Sequence, residues 1–316
     1  MTRYIVNHFT HTDLDGVGCA CLTTFITYNQ KDVELDVKFC DYDDVNQQVN
    51  QLLDQLDEWK ASDDMDYYRD RLILITDISV NEETAERLNS VANDKIVVMM
   101  LDHHQLSEKL RSYKWATVDD SGDNCGTSLV MNRFIGGNQI NGIQGVIDFV
   151  ENVRLYDLWK FDPEERSKAR SLNMLLSLFG KEHFLKLITH ELVYYPNTSI
   201  DMDQGWIKNV LDCLYASEEE YIRNKLKTAV DVEYNGLHGK YVFAEQHVSR
   251  VGNRMLKEFP DIDFAAIIQT PNRVSLRSRE GGVNVGTDIA KQFGGGGHPC
   301  AAGYTMSTPI KFEMVI

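Results

Sequence analysis

Acidic and imidazole side chains gather at four places along the chain, each beside an apolar run. His11, Asp13 and Asp15 follow residues 4–10, and Asp77 follows residues 72–76. Asp102, His103 and His104 follow residues 95–101, and Asp157 stands among the aromatics of residues 153–159. Carboxylates and imidazoles in such a set suit Mn²⁺, Mg²⁺ or Fe²⁺ better than thiolate-bound zinc. Two divalent cations sharing a carboxylate would polarise a phosphoryl group, activate water and stabilise both entering and leaving oxygens. That chemistry is hydrolysis of a phosphoester or phosphoanhydride. Each place also has a plainer reading. Asp15 could cap a helix, Asp77 could be an ordinary cap after a strand, and Asp157 could be a surface residue at a helix end. The adjacent pair His103 and His104 resists such a reading, because two imidazoles at the end of an apolar strand both need partners.

A second signal lies near the C-terminus, where Gly294, Gly295, Gly296 and Gly297 precede His298. Glycine in regular structure costs roughly 0.5–1 kcal/mol relative to alanine. A run of four therefore suggests a backbone that approaches a ligand closely or presents N–H groups to an anion. Nearby, Arg273, Ser275, Arg277 and Arg279 recur at every second position, so a strand would set them on one face. A basic, hydroxyl-bearing face beside a glycine loop suits a phosphate. A merely solvated outer face is the rival.

The elements that must position these residues follow from periodicity. Strands are expected at residues 4–10, which alternate, and at 33–39, 72–76 and 95–101, with a further one at 115–118. Helices are expected at 16–26, 45–59 and 81–91, the last capped by Ser79 or Asn81. This alternation predicts an α/β fold with a parallel, doubly wound sheet, whose carboxyl edge is where such sheets bind ligands. Helices follow at 126–134, 143–155, 164–179, 182–192 and 204–229. The remainder reads as a smaller α+β domain, with strands at 241–244, 264–268 and 273–277 and helices at 251–259 and 285–292. The expected divisions are a metal-binding domain over 1–192, a helical linker over 193–231 and a substrate-binding domain over 232–316.

Length, charge and cysteines set bounds. The 316 residues suit two domains, and 43% hydrophobic with 25% charged residues describe a soluble protein. The net charge of −16 falls wholly on residues 1–230, and the acidic run at 54–70 reads as solvated surface. An acidic body disfavours long duplex nucleic acid, whose binding leans on many cationic contacts. The six cysteines are scattered without a C-x-x-C pair, so they read as small buried residues in a reducing compartment. No apolar run is long enough to span a bilayer and no signal peptide is evident. The expectation is a cytoplasmic protein with no membrane partner.

The motifs taken in order resemble those of the DHH/DHHA1 phosphoesterase family, and its nanoRNase/oligoribonuclease branch in particular. His11 to Gly16 resembles the first motif, Asp77 the second, Asp102-His103-His104 the third and Asp157 the fourth, while Gly294 to His298 resembles the DHHA1 signature. The branch rests on residues 11–18, 154–159, 252–254 and 273–277. The resemblance implies a Mn²⁺-dependent hydrolase, with Mg²⁺ or Co²⁺ as alternatives, whose active site lies in the cleft between its domains. Asp77 would bridge two ions, Asp13 and His11 would hold one, and Asp15, His103 and Asp157 the other. His104 would contact the scissile phosphate or assist proton transfer, with Asp102 orienting the cluster. Arg254, Ser275, Arg277, His298 and the four glycines would grip the substrate. Many relatives carry the first-motif histidine four residues before the first aspartate; Phe9 stands there here.

The expected activity is hydrolysis of short single-stranded RNA, or a linear dinucleotide, to mononucleotides by in-line attack of water. Alternatives are hydrolysis of cyclic dinucleotides, removal of the 3′-phosphate from 3′-phosphoadenosine 5′-phosphate, and nucleotide sensing without turnover. Cleavage polarity and oligomeric state stay open, a homodimer included.

Overall fold

The computed structural model describes residues 4–62, 64, 69–136, 142–163 and 165–308. Positions 63 and 65–68 of the acidic run, the expected helix start at Glu164 and positions 309–316 of the expected second domain fall outside them. The chain divides into two compact units, Met1–Lys208 and Asn209–Ile316. The division falls within the stretch expected as a helical linker.

In the first unit, β1 (Tyr4–His11) leads into α1 (Leu14–Thr27), β2 (Val33–Cys40) into α2 (Val45–Ala61), and β3 (Arg71–Thr76) into α3 (Glu82–Val91). Then come β4 (Ile96–Asp102), the short α4 (Glu108–Arg111), β5 (Ala116–Val118), α5 (Gly126–Phe134), α6 (Gln144–Asp157) and α7 (Lys168–Tyr194). The five strands are parallel in the order β2-β1-β3-β4-β5. Apolar side chains alternate across the central strands and both faces are covered. Phe9, Ile73, Ile75, Val98 and Met100 pack against Val49, Leu53, Leu56, Ala85 and Leu88 of α2 and α3. On the other side α1 packs with α5, α6 and α7. Residues 5–10 are consequently buried without exception. The alternation read in this strand is therefore not one between core and solvent: the strand is central, and His8 and Thr10 are as buried as Phe9.

Strand order reverses between β1 and β3, and that switch point is where an open α/β sheet leaves a crevice at its carboxyl edge. His11 ends β1, Asp77 follows β3 and Asp102 ends β4, so the order of the sheet brings three remote segments to one place. The helices expected at 164–179 and 182–192 form α7, which starts only at Lys168, after its N-cap Ser167, and is broken at Gly180, whose φ of 70° and ψ of 162° no helix accepts.

The second unit contains most of α8 (Gly205–Leu226), then β6 (Val230–Tyr234), β7 (Leu237–Phe243), α9 (Val248–Glu258), β8 (Phe264–Gln269), β9 (Arg273–Ser278), β10 (Gly296–His298) and β11 (Ala301–Thr305). These strands form one sheet in the order β10-β11-β9-β8-β7-β6, with only β7 and β8 parallel. One face carries α9 through Val251, Met255, Ala265 and Ile267. The other packs Phe264, Leu276 and Ala302 on Val285 and Ile289. The regular helix expected at 285–292 is instead a π turn (Val285–Ile289) running into a 3₁₀ turn (Ala290–Phe293). Asn284 accepts from the N–H groups of Gly286 and Thr287, and Gly286 lies so near the Gly297 carbonyl that a Cβ would stand 2.8 Å from it.

Four cysteines are buried as expected, but Cys213, on α8 between the buried Leu211 and Tyr215, is exposed and Cys300 half-buried. Among the described residues no helix is long and apolar enough to cross a membrane.

Candidate metal centre

The end of β1 and the start of α1 divide their polar residues between two tasks. Asp13 is the N-cap of α1 and accepts from the Gly16 N–H at 3.1 Å. The capping role considered for Asp15 thus belongs to Asp13. Asp15, 1% exposed, points to α5 and accepts from the backbone N–H groups of Gly126 (2.5 Å) and Thr127 (2.8 Å). A helix N-terminus is a favourable place for a carboxylate. Gly126 permits this approach: a Cβ there would fall 2.7 Å from Asp77 Cβ and 2.9 Å from Asp15 Oδ2.

Asp77 does not cap α3, a role filled by Asn81, which accepts from the Thr84 N–H. Asp77 is 1% exposed and holds a left-handed φ of 56°, a conformation that aspartate tolerates better than most residues. Asp157 ends α6 but is not a surface residue, its side chain being 19% exposed.

Their side chains meet. His11 Nδ1 lies 3.0 Å from Asp13 Oδ2 and 3.9 Å from Asp77 Oδ2. His103 Nε2 lies 3.2 Å from Asp77 Oδ1, 3.4 Å from Asp157 Oδ2 and 3.7 Å from Asp15 Oδ2. The potential ligand atoms of His11, Asp13 and Asp77 lie within 4.8 Å of one another, as do those of Asp15, His103 and Asp157, and those of Asp77, His103 and His104. Asp77 turns one oxygen to each histidine, His11 and His103, and so stands between the first two sets.

The electrostatics are those of a cation site. Among the described residues no Lys or Arg pairs with Asp13, Asp15, Asp77 or Asp157. Burial, followed by the charges of Asp15 and Asp13, pushes Asp77 well above the usual carboxylate range and Asp157 up to about 8. The Oδ2 atoms of Asp77 and Asp157 are buried with no hydrogen-bond partner. Buried carboxylate oxygens lacking both donor and counter-ion are costly, and a divalent cation satisfies them. The residues present therefore fit the metal that their chemistry implies. Burial lowers the His103 pKa against the pull of Asp15, which favours the neutral imidazole that ligates. For His11, the Asp13 hydrogen bond outweighs burial and raises it.

Asp102 is fully buried beneath this set. Its Oδ1 accepts from the His103 N–H, the His104 N–H and His104 Nδ1, the last at 2.8 Å. Burial would raise its pKa, but these donors outweigh it and bring Asp102 below its ordinary value, while the Asp102 hydrogen bond raises His104. The carboxylate fixes the ring and leaves His104 Nε2 available for a ligand.

The proposed grip residues all lie in the second unit. Arg277 and His298 both pair with Ala301, while Ser275 and Gly296 both pair with Gly303. Paired residues share a face, so Ser275 and Arg277 look across a floor of Ala301 and Gly303 to Gly296 and His298, two strand spacings or roughly 10 Å away. Arg277 donates to Ser249 Oγ at 2.6 Å and to the Leu276 carbonyl at 2.8 Å. The strand itself ends at Ser278. Arg279 instead donates to the carbonyls of Leu256, Phe259 and Ile262 and closes the C-terminal end of α9. Arg254 pairs with Glu219 at 3.0 Å.

Half of the glycine run is not a loop, since Gly296 and Gly297 lie in β10. Gly294 has a φ of 76° and Gly297 one of 141°, and a Cβ on Gly295 would fall 2.1 Å from the Gly303 carbonyl oxygen. Close packing accounts for Gly295 and Gly297, and the left-handed φ accounts for Gly294. Gly294 and Gly296 both meet nothing within 4 Å, and of the two only Gly296 lacks a left-handed φ.

Comparison with known proteins bears on the family and the fold. The N-terminal domain of the DHH family matches residues 4–149. The oligoribonuclease NrnB of Bacillus subtilis (strain 168) is 30% identical over 318 residues, covering 98% of this chain and 74% of that protein. The chain belongs to the DHH family. Among solved structures, a DHH domain described as a member of the s1p family of ribosomal proteins superposes with a TM-score of 0.59 at 12% identity, covering 96% of this chain and 83% of its own. The exonuclease RecJ bound to manganese does so at 0.54 and 14% identity, covering 97% and 86%. These likenesses are of fold. Seven DHH candidate residues, from His11 to His104, lie within the matched stretch; Asp157 and the second unit lie beyond it.

Two residues at this DHH site escaped the sequence reading. Tyr42, just past β2, has its ring 5.2 Å from that of His11 and 6.4 Å from that of His104, and is 57% exposed. Burial of its hydroxyl, followed by the charges of Asp77 and Asp102, pushes the phenol up to about 12, so it stays a donor at neutral pH. Asp41 accepts from Thr12 and lies 3.8 Å from His11 Nε2. The available signal was the strand at 33–39, whose end must share the carboxyl edge with that of the first strand.

Proposed function

We propose that the protein is a two-metal phosphodiesterase that hydrolyses short single-stranded oligoribonucleotides, or linear dinucleotides, to mononucleotides. DHH-family membership makes it a phosphoester-hydrolysing enzyme. The narrower substrate is supported by the NrnB likeness along nearly the whole chain. The observation that carries the metal reading is the two ligand sets, His11 with Asp13 and Asp77 and Asp15 with His103 and Asp157, between which Asp77 stands 3.2 Å from His103 Nε2, with the Oδ2 atoms of Asp77 and Asp157 buried and without a hydrogen-bond partner.

His11, Asp13 and Asp77 would hold one cation, and Asp15, His103, Asp157 and Asp77 the other. Mn²⁺ is proposed, in keeping with an oxygen-rich set containing imidazole, and Mg²⁺ or Co²⁺ are alternatives. When bound, such a pair neutralises the phosphoryl oxygens and supplies a nucleophile at neutral pH. The chain's own residues do the rest. The N–H groups of α5 hold Asp15 in place before substrate arrives. Asp102 fixes His104 so that its Nε2 can contact the scissile phosphate or pass a proton. Tyr42 offers a hydroxyl donor beside both rings. Ser275, Arg277 and His298, over the floor at Ala301 and Gly303, would grip a terminal phosphate or base.

The test is an assay of Mn²⁺-loaded protein on di- to pentaribonucleotides, with cyclic dinucleotides and 3′-phosphoadenosine 5′-phosphate as competitors. Mononucleotide products, lost in Asp77→Asn, are expected. Intact short RNA, or full turnover by Asp77→Asn, would overturn the proposal.

A further inference from the structure

Beyond the ligand sets, the turn after Asp157 has features that metal binding does not require. The N–H of Trp159 donates to the Tyr156 carbonyl at 3.1 Å and that of Lys160 to the Leu155 carbonyl at 2.8 Å. This pair of bonds closes α6 as a Schellman turn, whose left-handed position glycine fills by preference. Here it is Trp159, with a φ of 55°. A bulky side chain in that conformation is an outlier, and such outliers gather at ligand sites.

The indole is also held from behind. Its ring lies 4.9 Å from that of Phe161, edge to face, and Phe161 stacks on Tyr156 at 5.4 Å with 12° between planes. Lys160 anchors the turn to the Gly122 carbonyl and Arg154 to that of Asp123. The ring is nonetheless 43% exposed. Exposure alone decides nothing, since Trp206 is 52% exposed and isolated surface aromatics are ordinary. Trp159 differs in combining a disfavoured backbone, an aromatic backing and a position two residues from Asp157. That spacing keeps its Cα within about 7 Å of the Asp157 Cα, and Asp157 Oδ2 is 3.4 Å from His103 Nε2.

We propose that Trp159 is a stacking platform for a nucleobase of the nucleotide being cleaved. The proposal rests on the nuclease reading and adds the feature by which the substrate is recognised. An aromatic face accepts any base, because every base has a π face. It would therefore select nucleotides over phosphodiesters without bases, and single strands over duplexes whose bases are already stacked, with little preference for sequence.

The variants are Trp159→Gly, which suits a φ of 55° and is expected to melt no lower than wild type, and Trp159→Phe, which keeps a ring. Each is assayed with Mn²⁺ on a 5′-phosphorylated adenylyl dinucleotide and on the same dinucleotide lacking both bases. Trp159→Gly should lose about 5- to 100-fold in kcat/KM on the first, mainly through KM, the range that base stacking carries. It should match wild type on the second, and Trp159→Phe should stay within about threefold on both. Equal rates throughout, or equal loss on both substrates, would overturn the proposal. A second readout needs no turnover: adenosine should quench tryptophan emission in metal-free wild type and fail to do so in Trp159→Phe. Quenching without any dinucleotide cleavage would sink the nuclease reading and leave the platform standing. Cleavage with identical quenching in wild type and Trp159→Phe would sink the platform alone.

Discussion

Gly126→Ala places one methyl group between Asp15 and Asp77 of the metal centre, although the residue contributes no side chain to it. The new Cβ would stand 2.7 Å from Asp77 Cβ and 2.9 Å from Asp15 Oδ2, against ordinary contacts of 3.4–4 Å. Relief needs a displacement of roughly 0.5–1 Å, and an error of that size in a catalytic arrangement costs up to about 100-fold. Asp77 cannot easily yield, because its N–H is tied to the Leu101 carbonyl at 3.0 Å. The first turn of α5 must lift instead, drawing the N–H groups of Gly126 and Thr127 away from Asp15. Each such bond to a charged group is worth about 1.5–3 kcal/mol, more than the roughly 1 kcal/mol by which alanine favours a helix. Net stability should fall by about 1–3 kcal/mol, and kcat/KM on a dinucleotide by about 10- to 100-fold. Thermal melting, Mn²⁺ titration and steady-state kinetics on the same preparation separate the effects. A Gly126→Ala protein that is folded, binds Mn²⁺ as wild type does and turns over normally would refute the assignment of Asp15 and Asp77 to one centre.

Three further predictions concern protons. Asp102→Asn removes the carboxylate that fixes the His104 ring and should lower kcat by about 10- to 100-fold, with Mn²⁺ stoichiometry kept; wild-type kcat would show that His104 needs no such partner. His8 is fully buried and its pKa is lowered to about 3 by that burial, so below pH 6.5 the unfolded chain takes a proton that the folded one refuses. Stability should therefore fall with pH across that window, by roughly 2–3 kcal/mol between pH 7 and 4.5 from this residue. Urea melts of His8→Gln should show a correspondingly shallower acid limb, and an unchanged one would contradict the assignment. Asp157, raised to about 8, still carries a proton at pH 6.5 in the metal-free protein. Calorimetry in buffers of different ionisation enthalpy should detect its release on Mn²⁺ binding at pH 6.5 and its absence at pH 9.5. Equal release at both would contradict the buried, mutually repelling carboxylates described above.

Much of the site could be read from the order of residues, because donors placed after apolar runs must emerge at the carboxyl edge once the strands are parallel. That rule holds for His11, Asp13, Asp77, Asp102 and His103 without knowledge of the strand order. What could not be read depends on three-dimensional neighbours. Tyr42 reaches His11 only because β2 pairs with β1, and Asp15 finds its donors on a helix more than 100 residues away. Arg279 continues the period of Arg273, Ser275 and Arg277, yet the open carbonyls at the end of α9 draw it away. The glycine run was conspicuous for its composition, but close passage of the chain over Gly303 and Ala301 explains Gly295 and Gly297, and a left-handed φ explains Gly294, so only Gly296 has neither reason.

The paramagnetic resonance spectrum of the protein titrated with Mn²⁺ tests the shared role of Asp77 most directly. Two bound ions per chain with the spectrum of a magnetically coupled pair, collapsing to uncoupled Mn²⁺ in Asp77→Asn, are the predicted result. A single uncoupled ion at saturation, or a coupled pair that survives Asp77→Asn, would contradict it.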